Sequence, residues 1–490
     1  MVHELRGTQG EFGWQAHGRA AAIVLAALAT MCSSVDVWLI MTSINPHLDA
    51  LWAPATTIQS LAAALGYALI ALLALKFPRL IRPGLFNVLS AAFIVGGSLA
   101  WGWGMGAGNV VVSTVAVCLT HFGCSWPRIM VAGSLCALGS KRDLLCAAAL
   151  GEGIGALVRC LLPADIPFAV ALGSATLVEL VMLASGQLGC ASFFKGALAN
   201  TSAPAELDTT NPGSFLSPSH RLFVLITFFE VIHGVSLGET SEVPFLTTVL
   251  VVLLFALCVG LIAWRGVGRC EDLLLYAAAL LMIGGAMVRP LSPAEGILGS
   301  TLSFGGAAIS WVLIYVVYAS VGMSNPAGAI WALGAGYTMQ ALGLEAGSVL
   351  GHLATGSYGP FAFVGASESV ANVVNAAVAV AFIGYLLVSL RGFSFSAAFA
   401  DIVPVAPLKP LVDTDARIDQ ACNALAAEHG LSERELDVML LLAHGKSGQQ
   451  IQDALVVSRN TVKTHVRHIY RKLDVHSQQE LVNLVGGTGR

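Results

Sequence analysis

The stretch AAAIVLAALATMCSSVDVWLIM, Ala20–Met41, runs 22 residues with a single charged side chain, Asp36. About 20 apolar residues suffice for a helix to cross the roughly 30 Å hydrocarbon core of a bilayer. This stretch is apolar on every side rather than along one stripe, so its solvent is lipid, not one face of a soluble core. Working outward from it, twelve such runs follow one another up to Val370–Leu390. The fourth, Asn109–Ala137, is overlong and carries Pro127, which predicts a kink or an early end. The seventh, Leu222–Leu237, and the ninth, Leu273–Val288, are short and need their flanks to span.

Composition agrees. The chain has 490 residues, 56% hydrophobic and 11% charged, with mean hydropathy +0.77. Soluble domains carry about 25% charged residues. A wholly soluble enzyme is therefore excluded. The ten cysteines form no C-x-x-C pair, so neither a disulfide framework nor a zinc site is expected. No metal or other cofactor is expected either, and no nucleophile–base pair or phosphate-binding loop points to an enzyme.

Loop charges set the expected topology. Lys76, Arg79 and Arg82, then Lys141 and Arg142, Lys195 and Arg221, Arg265 and Arg269, and Arg391 fall in alternate connections. The other connections hold Asp49, Asp165, Glu242 and Glu295, with Arg289 the exception. Basic loops stay in the cytoplasm, so both termini are predicted inside, with 1–19 as a polar lead-in. The connection 189–221 contains Thr201-Ser202-Ala203-Pro204 and Asn211-Pro212-Gly213-Ser214 and reads as loop. It divides a sensor region 20–390 into halves 20–188 and 222–390, six spans each. That layout resembles the major facilitator superfamily, whose halves surround a central cavity. The basic loop Lys76–Gly84 lacks the aspartate of that family's signature, which weighs against active transport.

Beyond Arg391 the composition changes. The last ninety residues hold 10 Lys/Arg and 11 Asp/Glu, against 15 and 18 in the first four hundred. Pro404, Pro407 and Pro410 mark a linker, 391–412, and 413–430 reads as a short helix stopped by Gly430. Four helices are legible in 431–490. Ser432 and Glu435 form a capping box for the first, which runs to Ala443. The second runs from about Ser447 to Leu455, and a tight turn at Val456-Val457 leads to Ser458, the N-cap of the third, Arg459–Leu473. The fourth begins at Ser477. The third helix puts Val462, Val466, Ile469 and Leu473 on one stripe and Asn460, Lys463, Thr464, Arg467 and Arg471 on another. Five Lys/Arg and no acid lie between Ser458 and Leu473. Such a helix suits the major groove of double-stranded DNA, where Lys and Arg pair with guanine edges; an ordinary solvated basic face is the alternative.

Leu431, Ser432, Arg434, Glu435, Val438, Leu441, Leu442, Gly445, Ile451, Ala454, Leu455, Ser458, Thr461, Val462, Lys463, His465, Lys472, Leu473 and Val475 carry a resemblance to the LuxR-type (NarL/FixJ-like) helix-turn-helix domain of bacterial transcription factors. It covers about 55 residues. It implies base contacts by Lys463, Thr464 and Arg467, within a DNA-binding set that also takes in Ser458, Arg459, Asn460, Thr461 and Arg471, and a homodimer contact through Ser477–Val485. Gly448, Gln450 and Gln452 depart from the commoner residues of that family, at scaffold or backbone-contacting positions.

Charged groups inside spans are costly and face a cavity or a partner. The candidate ligand-binding residues are Asp36, His121, Glu152, Glu179, Glu230 and His233, with Arg159 and Glu345 beside them. Glu230 and His233, three apart, share a helix face and suit polar packing better than metal. Glu152 and Arg159 are spaced to pair loosely, and Gly151 and Gly155 give small-residue spacing for close helix packing. Trp101, Trp103, Trp126, Tyr315 and Tyr318 suit either a ligand pocket or interface anchoring. The expectation is an all-α protein: a polytopic transmembrane helical bundle of about 12 spans, 6+6, followed by a small cytoplasmic four-helix helix-turn-helix domain. It would sit in a bacterial inner (cytoplasmic) membrane, with lipid, DNA and an unknown small-molecule ligand as partners. The function expected is a one-component transcriptional regulator, with a transporter or transceptor whose tail couples flux to gene expression as the alternative.

Overall fold

The computed structural model describes residues 4–45, 47, 55–162, 166–198, 203–216, 220–239, 245–265, 270–288, 297–355, 368–389, 395, 405 and 415–488. No strand occurs among them. The linker prolines Pro404, Pro407 and Pro410, and the loop charges Asp49, Asp165, Glu242, Arg269, Arg289, Glu295 and Arg391, lie outside the described residues.

The first half comprises α1 (Glu4–Leu39), which ends in a π-turn at Ile40–Ile44, α2 (Ala55–Lys76), α3 (Pro83–Gly106), α4 (Val110–Gly123), α5 (Ser125–Cys136), α6 (Lys141–Leu161) and α7 (Phe168–Gly189). The overlong fourth run is two helices. Asn109 caps α4, its side chain accepting from Val112 N at 3.1 Å. The break falls at Cys124, and Pro127 sits in the first turn of α5, where its missing N–H costs nothing. The second half comprises α10 (Arg221–Glu239), α11 (Phe245–Arg265), α12 (Cys270–Val288), α13 (Ile297–Ser324), α14 (Pro326–Thr355) and α15 (Glu368–Ser389).

Eight helices among the described residues are long and apolar enough to cross a membrane, counting α4 and α5 as one, and two further apolar helices, Leu246–Leu261 and Asn372–Val388, are shorter. The remaining two of the twelve expected runs are α10 and α14, which carry Glu230 and His233, and Gln340 and Glu345. Burial is inverted relative to a soluble protein. Leu99, Leu161 and Leu280 are 71%, 83% and 73% exposed on the outside, while Asp36, Glu152 and Glu230 are at most 1% exposed inside. An outer surface of that kind requires lipid.

Small residues let the helices approach. Gly151 and Gly155 of α6 lie against Thr30 and Ser34 of α1, filling the packing role their spacing suggests. A Cβ on Gly347 of α14 would run into the Val231 backbone of α10. The halves meet where α13 packs on α5 and α6, and α14 on α2; α13 is buried along nearly its whole length.

The connection 189–221 is not plain loop. It contains α8 (Ala191–Ala197) and α9 (Pro204–Thr210). Ala203 is extended and Pro204 takes the first helical position, where its fixed φ and missing N–H favour a helix start.

The C-terminal domain comprises α16 (Asp415–Glu428), α17 (Glu433–Ala443), α18 (Gly448–Leu455), α19 (Arg459–Leu473) and α20 (Gln478–Thr488). Its core, which includes Ile418, Leu425, Val438, Leu442, Ile451, Val462, Val466, Ile469, Leu473, Leu481 and Val485, is separate from that of the membrane bundle. Gly430 and Gly445 end their helices at φ +63 and +74. The Ser432–Glu435 capping box forms, and a second one, Ser447–Gln450, opens α18.

Candidate nucleic-acid interface

The apolar stripe of α19 is buried as expected: Val462, Val466 and Ile469 at 0%, Leu473 at 5%. The polar residues of α19 and its cap divide into four roles. Ser458 and Thr461 build the helix start, with the Ser458 hydroxyl 2.8 Å from the Thr461 hydroxyl and accepting from Thr461 N at 3.2 Å. Lys472, one of the five basic residues, is a scaffold group: its Nζ donates to Glu435 Oε2 at 2.7 Å and to Gly430 O at 2.9 Å. Burial pushes the Glu435 carboxyl up, but the hydrogen bonds from Lys472 and Ser432 outweigh it and hold the group down at about 2. Asn460, Thr464, Arg467 and Arg471 are exposed.

Arg459 and Lys463 are engaged by α9 of the connection. Lys463 Nζ donates to Asp208 Oδ2 at 2.6 Å, and Arg459 Nη2 reaches the same oxygen at 3.2 Å. Arg459 also donates to Thr209 Oγ1 at 3.1 Å and to Ala205 O at 2.5 Å. The Tyr470 hydroxyl donates to Thr210 O at 2.5 Å, and Gln478 N to Asn211 Oδ1 at 3.0 Å. Thr209 lies over Gly448, which has no side chain to obstruct it. The departure from the family pattern at Gly448 thus makes room for the docked segment. That segment is fixed in turn to the membrane domain, because the Asn325 side-chain amide, at the α13–α14 junction, donates to Ser214 O.

The apolar face of α20 packs inside the domain, with Leu481 and Val485 in its core, and the backbone N–H of Gln478 at its start is taken by Asn211. A second chain would have to meet α20 along its outer side, around exposed Asn483.

In the bundle, Asp36 pairs with Arg128 at 2.7 Å. Glu179 accepts from the Cys124 thiol at 2.7 Å. Glu230 Oε2 lies 3.2 Å from His233 Nδ1, while Oε1 accepts from Trp311 Nε1 at 3.2 Å and Gln340 Nε2 at 2.9 Å. Glu152 and Arg159 are bridged by Ser34 Oγ, at 2.9 and 3.2 Å, rather than paired as their spacing suggested. Glu345 lies against Thr57 and Ser60 of α2.

His121, Arg128 and Glu230 line one cavity of about 110 Å³, and Glu152, Arg159 and His233 line a second of about 120 Å³, with Val37 and Trp311 common to both. Asp36 and Glu179 stand outside both linings. Tyr315 lines the first cavity; Trp103, 62% exposed, lies on the outer face. Sequence reading missed Arg128 and Asp208. Arg128 sits inside the fourth apolar run, where any base is conspicuous. Asp208 carried no signal, since only the fold brings it within reach of α19.

Residues 429–485 match the family described as "Bacterial regulatory proteins, luxR family". The chain is 42% identical over 64 residues to the uncharacterized response regulatory protein YgeK of Escherichia coli K12, covering 13% of this chain and 44% of that protein. It is 52% identical over 48 residues to the nitrate/nitrite response regulator protein NarP of the same organism, covering 10% and 22%, and 41% identical over 58 residues to the transcriptional regulatory protein LiaR of Bacillus subtilis, covering 12% and 27%. The chain thus spans less than half the length of these relatives. Among solved structures, the major facilitator superfamily transporter FucP in the outward conformation is similar at TM-score 0.46 and 13% identity, covering 75% of this chain and 98% of that one. A bacterial homologue of the iron transporter ferroportin gives TM-score 0.40 and 14% identity, covering 76% and 99%. The C-terminal domain of this multi-pass helical membrane protein is a LuxR-type helix-turn-helix domain of the bacterial regulatory proteins.

Proposed function

We propose that the protein is a membrane-bound one-component transcriptional regulator: its membrane domain senses a small molecule or membrane signal, and α19 binds double-stranded DNA. The observation that carries the reading is Asp208, which holds Arg459 and Lys463 together. Both are residues that would otherwise meet DNA, so the docked arrangement is the silent one. A duplex brings phosphates and guanine edges to the same two cations and competes directly with Asp208.

A route for the signal is available. α14 lines the first cavity with Tyr337 and Gln340, and its start follows Asn325, which grips the docked segment at Ser214. A ligand shifts this equilibrium only by its difference in affinity for the docked and released states; a change from 1:99 to 99:1 needs about 5.5 kcal/mol. Released domains would pair through the outer side of the Ser477–Val485 helix on two half-sites. This reading places both termini in the cytoplasm of a bacterium, with the protein in the inner membrane. It assigns no enzymatic role.

Comparing transcripts in a deletion strain and an Arg467→Ala strain across candidate metabolites tests it. The two strains should share the same altered genes; unchanged transcripts in both would overturn the regulator. A transporter whose tail reports flux is the second reading, favoured by the charged cavities between the halves. Robust counterflow of a substrate in vesicles would support it over a pure sensor.

A further inference from the structure

The first cavity has a composition that selects a ligand class. It is lined by α1, α2, α4 and α5 of one half and α10, α13 and α14 of the other. Its two charged walls are of opposite sign and belong to different halves: Arg128 on α5 and Glu230 on α10. Three polar atoms of its lining residues are buried with no hydrogen-bond partner: Arg128 Nε, Gln59 Oε1 and the Tyr337 hydroxyl. Gln59 is 3% exposed and Tyr337 7%. Unsatisfied groups buried at this depth cost roughly 1–3 kcal/mol each, so they mark places where something else supplies the missing bond.

The three requirements differ in kind. Arg128 is paired with Asp36 through Nη2 at 2.7 Å, but its Nε is a donor still in need of an acceptor. Gln59 Oε1 is an acceptor and needs a donor. Glu230 is a carboxylate held by Trp311, Gln340 and His233, with no Lys or Arg among these partners. Between them the walls are aromatic: Tyr67 and Tyr337 stack with ring centroids 5.2 Å apart. A cavity of about 110 Å³ has room for several waters or one small molecule.

We propose that this cavity binds a small zwitterion of amino-acid type, its protonated amine towards Glu230 and Gln59 and its carboxylate towards Arg128. The inference rests on the reading of the membrane domain as a sensor and names its ligand class. A bare amine leaves Arg128 Nε unanswered, and a bare carboxylate leaves Gln59 Oε1 without a donor and makes no use of Glu230. A ligand charged at both ends engages both halves at once. Its affinity therefore depends on how the halves are set, which is the differential affinity that a sensor requires.

Isothermal titration of the full chain in nanodiscs with the twenty free amino acids is the test. At least one should bind saturably. The corresponding amine without the carboxylate, and the corresponding acid without the amine, should each bind at least tenfold more weakly. Glu230→Gln should weaken the amino acid at least tenfold and leave the carboxylate-only analogue unchanged. Tyr337→Phe removes only an unpartnered hydroxyl, so it should keep the melting temperature of the unliganded protein while weakening the amino acid threefold or more. This second variant keeps the test decisive if Glu230→Gln fails to fold.

Three results would each overturn the proposal: no amino acid binds, which leaves a water-filled cavity; the amine alone binds as well, a cation site; or the acid alone binds as well, an anion site. If any of these holds while Asp208→Ala still raises DNA affinity, the ligand class falls and the regulator stands. If zwitterions bind while Asp208→Ala changes nothing, the docking account falls and the cavity assignment stands.

Discussion

Lys463 Nζ lies 2.6 Å from Asp208 Oδ2, so a residue expected to read bases is held by a carboxylate of its own chain. Arg467, one turn further along α19, stays exposed. The two cations should therefore behave differently when removed. In the isolated 413–490 fragment, which has its own core, Lys463→Ala and Arg467→Ala should each cost about 1–3 kcal/mol of specific DNA binding. In the full chain, Arg467→Ala should show its whole loss. Lys463→Ala should show a smaller one, because it also loosens the docked state. Electrophoretic retardation on one operator measures all four, and a Lys463→Ala loss as large in the full chain as in the fragment would contradict docking through Lys463.

Tyr470 gives a probe that leaves the DNA face untouched. Its ring is 5% exposed and its hydroxyl donates to Thr210 O. Tyr470→Phe should leave the DNA affinity of the isolated fragment unchanged. In the full chain it removes one docking hydrogen bond, worth about 1 kcal/mol, so DNA affinity should rise about fivefold. Fluorescence anisotropy with a labelled duplex reads both.

Glu435 predicts an acid transition confined to the C-terminal domain. Its carboxyl is lowered from 4.5 to about 2: burial opposes ionisation, and the Lys472 and Ser432 hydrogen bonds outweigh that. A depressed carboxyl stabilises the fold fully above its unfolded value and loses that contribution as pH falls towards its folded one. Urea unfolding of the 413–490 fragment should therefore lose up to roughly 2–3 kcal/mol between about pH 5 and pH 2. Glu435→Gln should flatten that dependence. A wild-type midpoint that does not move between pH 5 and pH 2 would contradict the assignment.

Much of this architecture can be read from the chain because it rests on local chemistry. The limits of α19, Arg459 and Leu473, follow from Ser458 as cap and the stripe Val462–Val466–Ile469–Leu473, and the structure keeps both ends. The packing of Gly151 and Gly155 against α1 follows from their spacing in the same way. The contacts made across the fold are different in kind. Periodicity cannot place Asp208 near Lys463, some 255 residues away, nor set Ser34 between Glu152 and Arg159. A polar, proline-bearing stretch such as 189–221 reads as loop; α9 forms there because Pro204 starts it and because Thr209, Thr210 and Asn211 are buried by the elements around it.

On the proposed function, α9 masks the DNA-binding face of α19. The most direct test of this masking is the affinity of one operator duplex for three proteins at a single salt concentration: the full chain in nanodiscs, the same chain with Asp208→Ala, and the isolated 413–490 fragment. Masking predicts the weakest binding by the wild-type chain, an increase of about tenfold on Asp208→Ala, and the tightest binding by the fragment. Equal affinities for wild type and Asp208→Ala, with a fragment that binds no better than either, would contradict it.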